Sequence, residues 1–280
     1  MRLSHVIEAV YWKPWFINQH AHAAIRAVID RKLGGAKAQD DPQLIQPKGM
    51  DTEDLFDKPM EREVIGSVAR IPIVGTLARG ASKIEKAYCG LRDYKEIAED
   101  LAWARDNASV SGVLLHMDTP GGMVNGCHEC YQEIVETSKV KPIYAFTEGQ
   151  ICSAGYYLAS ACDQIIATPS SFIGSIGVLL QVLDNSKYYE AVGLKMHTLR
   201  SGELKAPGVD GDVVTDEQLQ NLQSLVDGLA AEFKGAVSGR RPLIDEGSMQ
   251  GQVFRASEAK DRGLIDLIVN NEREAIELLN

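Results

Sequence analysis

The sequence predicts an α/β protein built from repeated βα units around a largely parallel sheet. From Val64 onward, short runs of β-branched residues alternate with segments of helical periodicity, which is the pattern of such units. The chain has 280 residues, of which 45% are hydrophobic and 24% are charged, so it is long enough to bury a sizeable core. This composition excludes a disordered or fibrous chain.

The first sixty residues differ in pattern from the rest. In residues 18–33 small and apolar side chains share one helical face, and Gly34 with Gly35 then ends the pattern. Residues 36–63 are rich in Asp, Gln, Pro and Lys with weak periodicity, which is typical of a linker. We therefore predict an amphipathic helix and linker over 1–62 and the main domain over 63–280.

The strands of the main domain are predicted from β-branched and apolar runs bounded by turn residues. They fall at 64–74, 112–118, 142–146, 164–168, 176–183, 195–200 and 264–269.

The helices are predicted from apolar residues at helical spacing and from capping signals. Asp93 with Glu96 resembles a capping box and opens a helix through about residue 107. Thr215 with Gln218 opens a long helix in the same way. Further helices are predicted over 123–138 and 153–161, before Gly193 and before Gly263.

Charge and cysteine content narrow the function classes. With 29 basic and 39 acidic residues the formal net charge is -10, which argues against nucleic acid as the main partner. The sequence shows neither an apolar run of about 18 residues nor the layout of a signal peptide, so we predict a cytoplasmic protein without a membrane partner.

Five cysteines, an odd number, fit a reducing compartment. Because the spacing Cys127–Cys130 lacks a second ligand pair, we predict no metal and no cofactor.

Two turns are candidates for chemistry. Gly121 and Gly122 stand between a predicted strand and a predicted helix, where backbone N–H groups can approach a phosphate or an oxyanion. A tight turn without a ligand explains the pair equally well. Ser153 follows a strand at the start of a helix among small residues. It is a candidate nucleophile, although serine is also a routine helix N-cap.

A nucleophilic serine needs a base, because its free hydroxyl is weakly acidic. The histidines offer little, since His116 and His197 fall within strand patterns and His128 falls in a helix. A lysine can serve if burial leaves it neutral, and Lys205 lies among small and apolar residues. An exposed lysine is the other interpretation, and spacing alone does not bring Lys205 to Ser153.

Five ordered segments carry a family resemblance over residues 64–269. They read VARIPIVG, GVLLHMDTPGG, SAGYYLASACDQIIATPSSFIGSIGV, SGELK and FRASEAKDRGLIDLI. In these segments the chain resembles the S49 peptidases, the signal peptide peptidase A group, on the Clp protease/crotonase-like fold.

The resemblance implies a Ser-Lys dyad for acyl transfer. Ser153 matches the nucleophile, and Lys205 matches the general base that takes its proton. Ser175 of the GSIG segment matches a second hydroxyl that orients the lysine. Gly121 and Gly122 match the region that supplies oxyanion-hole N–H groups.

The opening of the chain looks like the N-terminal extension of the phage head-maturation type of this family. That likeness implies cleavage of capsid, portal or scaffold proteins in the host cytoplasm or the prohead. The resemblance to the family as a whole implies a homo-oligomer in which neighbouring subunits help to build the cleft. A bacterial cytoplasmic signal-peptide-peptidase-like protease and a non-catalytic assembly factor on the same fold stay open as alternatives.

Two other enzyme classes share this fold but fit the residues less well. Crotonase-like acyl-CoA enzymes use catalytic glutamates that have no evident counterpart here. A Clp-type Ser-His-Asp protease needs a histidine about 25 residues beyond the serine, a spacing typical of that family's triad. The chain has 178–180, Val-Leu-Leu, at that place.

Overall fold

A computed structural model describes residues 15–17, 61–81, 86 and 90–280. The helix predicted over 18–33 and the linker that follows it lie outside these residues, apart from the last few positions of the linker. The division of the chain near residue 62 therefore stays a prediction.

Thirteen strands are defined in the described residues. They are β1 (Trp15–Ile17), β2 (Glu63–Ile65), β3 (Val68–Val74), β4 (Thr76–Ala78), β5 (Leu91–Asp93), β6 (Gly112–Asp118), β7 (Gly121–Met123), β8 (Ile143–Thr147), β9 (Gln150–Cys152), β10 (Gln164–Ala167), β11 (Phe172–Gly174), β12 (Val253–Arg255) and β13 (Leu267–Ile268).

Seven α-helices have both ends within the described residues. They are α1 (Tyr94–Asp106), α2 (Cys127–Ser138), α3 (Ala154–Ser160), α4 (Ser186–Ala191), α5 (Asp216–Arg240), α6 (Ala256–Asp261) and α7 (Glu272–Glu277), with a 3-10 turn at Glu246–Ser248.

The strands form three sheets. The main sheet has the order β13-β10-β8-β6-β3-β2, and its neighbours are parallel except for the β2–β3 pair. A second sheet has the order β1-β7-β4-β5, and a third has the order β12-β11-β9. Parallel strands joined through helices confirm the predicted α/β class of repeated βα units.

The larger core lies on one face of the main sheet. Alternate residues of its strands, such as Ile71, Leu115 and Ala145, pack there against helices α1, α2 and α3 and against the last turns of α5. A smaller cluster on the opposite face is covered by α7 and the residues after it. It contains Val68, Leu114, Phe146, Ile166, Ala275 and Leu279.

Local signals explain where several helices begin and end. The Asp93 side chain accepts a hydrogen bond from the Lys95 N–H, which caps α1. Thr215 and Gln218 form the predicted capping box of α5, each accepting a bond from the other's backbone. Gly263 follows α6 with a φ of +75°, a conformation that glycine adopts at low cost.

The sequence prediction was wrong at five places. Residues 64–74 form the hairpin of β2 and β3, because Gly66 turns the chain with a φ of +65°. The helix predicted from residue 123 begins at Cys127, since β7 precedes it. The strand predicted over 264–269 is only Leu267–Ile268. Residues 176–183 and 195–200 form no strand in the described chain.

The first turns of α5 leave apolar side chains in solvent. Leu219 is 44% exposed and Leu225 is 48% exposed, whereas Phe233 and Val237 further along the helix are fully buried. The described residues therefore cover the apolar side chains of this helix only in its C-terminal half. Among the described residues, none of the helices has the length and apolar character needed to span a bilayer.

A charged cluster joins α7 to the main sheet. The Glu272 carboxylate accepts a hydrogen bond from the Arg70 Nε at 2.5 Å and lies 2.6 Å from the His116 Nδ1. Burial works to raise the pKa of Glu272, but the hydrogen bond from Arg70 and the charges of His116 and Arg70 outweigh it and hold the pKa below its usual value. The cluster therefore stabilises the ionised carboxylate.

Replacing Glu272 with glutamine is expected to lower the free energy of unfolding by about 1–3 kcal/mol at pH 7, because the buried Arg70 loses the nearer of its two charged partners and keeps only Glu63, at 3.4 Å. A lowered carboxyl pKa contributes stability above the ordinary value of about 4.3 and loses it as the pH falls further. The difference between wild type and Glu272→Gln in urea unfolding should thus shrink below about pH 4. The exposed Glu277→Gln is the control, and an equal loss there would contradict the prediction.

Candidate active site

Ser153 occupies the sharp turn between β9 and α3. It is fully buried as a residue, and its φ of 52° with a ψ of -116° is rare for any residue other than glycine. Such a conformation costs on the order of 1–3 kcal/mol, and in other folds a serine at a strained strand-to-helix turn presents its hydroxyl to a substrate. The small residues Ala154 and Gly155 follow it into the helix.

Ser175 lies beside Ser153 because their strands are paired. Strand β11 runs parallel to β9 with Gly174 opposite Cys152, so the next residue of each strand leaves the sheet at the same edge. The Ser153 N–H donates to the Gly174 carbonyl at 2.8 Å, and the Ser153 hydroxyl lies 3.5 Å from the Gly177 carbonyl. Ser175 also has a φ of 52°. The structure thus brings these two predicted residues together.

The predicted glycine pair forms part of β7. A Cβ atom at Gly122 would lie 2.0 Å from the Leu77 carbonyl oxygen of β4, so no side chain fits there. Gly121 has a φ of +106°, and its N–H donates to the Thr119 hydroxyl at 3.2 Å. The glycine turn is therefore held tightly between β4 and Thr119.

Thr119 is a residue that the sequence analysis did not single out. It is fully buried, its N–H donates to the Gln150 carbonyl at 2.9 Å, and its own carbonyl accepts from the Cys152 N–H at 3.1 Å. Its methyl carbon would lie 2.4 Å from a Cβ atom at Gly155. Thr119 thus contacts both the glycine turn and the Ser153 turn. Its place in the DTPGG segment was the only sequence signal.

We expect Thr119→Val to loosen the glycine turn, because valine keeps the methyl group but replaces the hydroxyl with a second methyl and leaves the buried Gly121 N–H without its acceptor. One unpaired buried N–H costs about 1–3 kcal/mol, and a similar loss in the transition state lowers kcat roughly tenfold or more. Thr119→Ser keeps the hydroxyl and should retain most of kcat. Peptide hydrolysis with kcat and KM determined separately tests this, and a Val variant with the kcat of the Ser variant would contradict it.

Lys205 is not brought to Ser153 within the chain. Lys205 is exposed, and its backbone N–H donates to the Gly202 carbonyl at 3.0 Å. In the part of the chain that the structure describes, its ammonium forms no hydrogen bond or ion pair. Ala206 beside it has a φ of 55°. The described residues therefore do not supply the burial expected of a general-base lysine.

The cysteines near the site are poor nucleophiles. Burial, helped by the charge of Asp118, raises the pKa of the Cys152 thiol to about 12, and burial likewise raises the pKa of Cys127 to about 12. A protonated thiol neither attacks a carbonyl nor binds a metal well. Within the described residues, no group of three His, Cys, Asp or Glu side chains is placed to hold a metal ion.

Comparison with known proteins places the chain in a family. The model of peptidase family S49 matches residues 136–280, just over half of the chain. The chain therefore belongs to peptidase family S49, which confirms the resemblance found in its motifs.

Two phage proteins are among its relatives. The "Capsid assembly protease C" of Escherichia phage lambda is 32% identical over 211 residues, which cover 75% of this chain and 48% of the relative. The "Head-tail preconnector protein GP5" of Enterobacteria phage P21 is 27% identical over 278 residues, which cover 96% of this chain and 55% of the relative. The chain spans about half the length of both.

Bacterial proteins are also similar to the chain. The "Putative signal peptide peptidase SppA" of Enterococcus faecium is 30% identical over 186 residues, which cover 65% of this chain and 52% of the relative. Among solved structures, an enoyl-CoA hydratase/isomerase family protein from Silicibacter pomeroyi matches 78% of this chain and 79% of its own, with 14% identity and a TM-score of 0.46.

Proposed function

We propose that the chain is a serine endopeptidase in which Ser153 attacks the peptide carbonyl. One observation carries the proposal. The described residues other than glycine that have a positive φ are Ser153, Ser175 and Ala206. Two of these match the nucleophile and the orienting hydroxyl of the family, and the third adjoins the lysine that matches the base. Strained backbone is kept where function requires it, so this coincidence supports the assignment.

The mechanism is acyl transfer. The Ser153 Oγ attacks the scissile carbonyl while Lys205 takes the hydroxyl proton, and the amine leaves with a proton returned by Lys205. Water then attacks the acyl-enzyme, and the same lysine accepts and returns a proton. Ser175 orients the lysine amine. Gly121 and Gly122 line the place of the carbonyl oxygen, where N–H groups stabilise the negative charge that develops.

A neighbouring copy completes this site in our proposal. Lys205 is exposed in a segment where Leu199 is 97% exposed and Val213 is 60% exposed. The nearby start of α5 adds further exposed leucines. Apolar exposure of this extent is typical of a surface that another protein covers. Burial against a second copy favours the neutral amine, which is the form that accepts a proton.

The substrate class follows from the phage relatives. Their names assign one to capsid assembly as a protease and the other to the head-tail connection. We therefore propose that this chain cleaves capsid, portal or scaffold proteins during prohead maturation. On this basis it acts in the host cytoplasm or inside the prohead.

The experiment mixes two inactive variants, Ser153→Ala and Lys205→Ala, after dissociation and reassociation. Each alone is expected to leave co-expressed capsid and portal proteins intact. If the copies mix at random, about a quarter of the sites combine an intact Ser153 with an intact Lys205, so cleavage returns. Ser160→Ala mixed with Lys205→Ala is the positive control.

Mass spectrometry of new termini reads the result. A Lys205→Ala protein with wild-type cleavage would overturn the role of Lys205. A mixture that stays inactive beside an active wild type would overturn the shared site. Wild-type protein that cleaves none of the head proteins but cleaves hydrophobic signal-like peptides would overturn the substrate class.

A further inference from the structure

Strand β1 covers one edge of β7, the strand that contains Gly121 and Gly122. Strand β1 runs antiparallel to β7, with Trp15 opposite Met123, Phe16 opposite Gly122 and Ile17 opposite Gly121. In the sheet order β1-β7-β4-β5, strand β7 therefore lies between β1 and β4. The glycines that line the proposed carbonyl site belong to a strand with both edges occupied.

A peptide substrate needs one of these edges. For a carbonyl oxygen to meet an N–H group of this glycine turn, the peptide backbone has to run alongside β7. Because the Gly121 N–H already donates to the Thr119 hydroxyl, Gly122 is the candidate donor. The edge toward β4 cannot open for it. Leu77 pairs with Gly122 there, its carbonyl oxygen lies 2.0 Å from the Cβ position of Gly122, and β4 is itself paired with β5. Only the edge that β1 covers can accept a peptide.

Strand β1 is also the easier neighbour to displace. It is three residues long and pairs with no second strand among the described residues, because it ends its sheet. Strand β4 is equally short, but it is fully buried between two strands. A terminal strand without a second neighbour is held by one set of backbone bonds, so an incoming strand can replace it without breaking the rest of the sheet.

We propose that substrates bind as an extended segment antiparallel to β7, in the place of β1, and that β1 is the chain's built-in competitor for this site. The inference rests on the proposed function, because it takes Gly121 and Gly122 as the carbonyl site. The substrate class is an unfolded stretch of polypeptide that can pair through its backbone. Folded surfaces and short peptides compete poorly with a tethered strand, since tethering raises its effective concentration.

The test locks β1 in place with a disulfide in Trp15→Cys/Met123→Cys. Opposite residues of an antiparallel pair have Cα atoms about 4.5–5.5 Å apart, which suits a disulfide. Oxidised full-length protein is expected to cleave unfolded casein at least about tenfold more slowly than the same protein after reduction with dithiothreitol. The single variants under the same oxidant are the controls. Cross-linked protein, verified by peptide mapping, that cleaves as fast as its reduced form would overturn the proposal.

Two further arms separate this proposal from the proposed function. In a Ser153→Ala background, anisotropy of a labelled unfolded casein fragment measures binding without turnover. Binding that weakens about tenfold on locking supports the β7 edge as the substrate site even if the wild type proves inactive, whereas equal binding overturns it.

Phe16→Pro removes a backbone N–H from β1 and is expected to raise kcat/KM about threefold or more. A lowered kcat/KM in that variant would contradict the role of β1 as competitor.

Discussion

Replacing Ser153 with alanine is expected to abolish peptide hydrolysis, with kcat lower by at least about 10³-fold, because the nucleophile is removed. Replacing it with glycine should cause the same loss and also stabilise the fold. The φ of 52° at this position strains any residue with a Cβ atom, whereas glycine adopts it readily. We expect Ser153→Gly to exceed Ser153→Ala in free energy of unfolding by about 1 kcal/mol.

Urea unfolding and peptide hydrolysis measure the two effects separately. Ser160→Ala is the matched control, since Ser160 is also buried on α3 but its hydroxyl donates to the Tyr157 carbonyl at 2.7 Å, away from the turn. This control should retain turnover. A Ser153→Ala protein with more than a tenth of wild-type activity would contradict the nucleophile. A glycine variant less stable than the alanine variant would contradict backbone strain at the site.

The parts of the fold that were predictable are those that a few neighbouring residues determine. Strand β6 was placed correctly at 112–118, because an apolar run between turn residues specifies a buried strand by itself. The start of α5 was predictable because Thr215 and Gln218 satisfy each other's backbone within one turn of helix. Ser153 was also a candidate from local context alone.

The arrangement of the site was not predictable, because it depends on pairings between distant segments. Strands β7, β9 and β11 have three residues each, too few for alternation to be visible. Their register nevertheless puts Ser175 beside Ser153 and Thr119 beside both turns. The converse error occurs at residues 176–183 and 195–200, where the sequence predicts strands that do not form. They contain the apolar residues of a strand, but Leu183, Met196 and Leu199 are exposed rather than packed on a neighbouring strand.

Gly155→Ala is expected to disturb the Ser153 turn and to be rescued by a second substitution. The added Cβ atom would lie 2.4 Å from the Thr119 methyl carbon, whereas the next Thr119 atoms are 3.6 Å away. Overpacking of this kind costs about 1–3 kcal/mol and displaces the residues on either side, so activity should fall with stability. Thr119→Ser removes that methyl group while keeping the hydroxyl that accepts from the Gly121 N–H.

The double variant Gly155→Ala/Thr119→Ser should therefore be more stable than Gly155→Ala alone and should recover most of its lost activity. A double-mutant cycle in urea unfolding is expected to give a coupling energy of about 1–2 kcal/mol. Gly228→Ala in α5 is the control for the glycine substitution itself. A Cβ atom there meets nothing within 4 Å, so the change should stabilise the helix by up to about 1 kcal/mol. Additive effects of the two substitutions would show that the Thr119 methyl does not set the spacing between the glycine turn and the nucleophile.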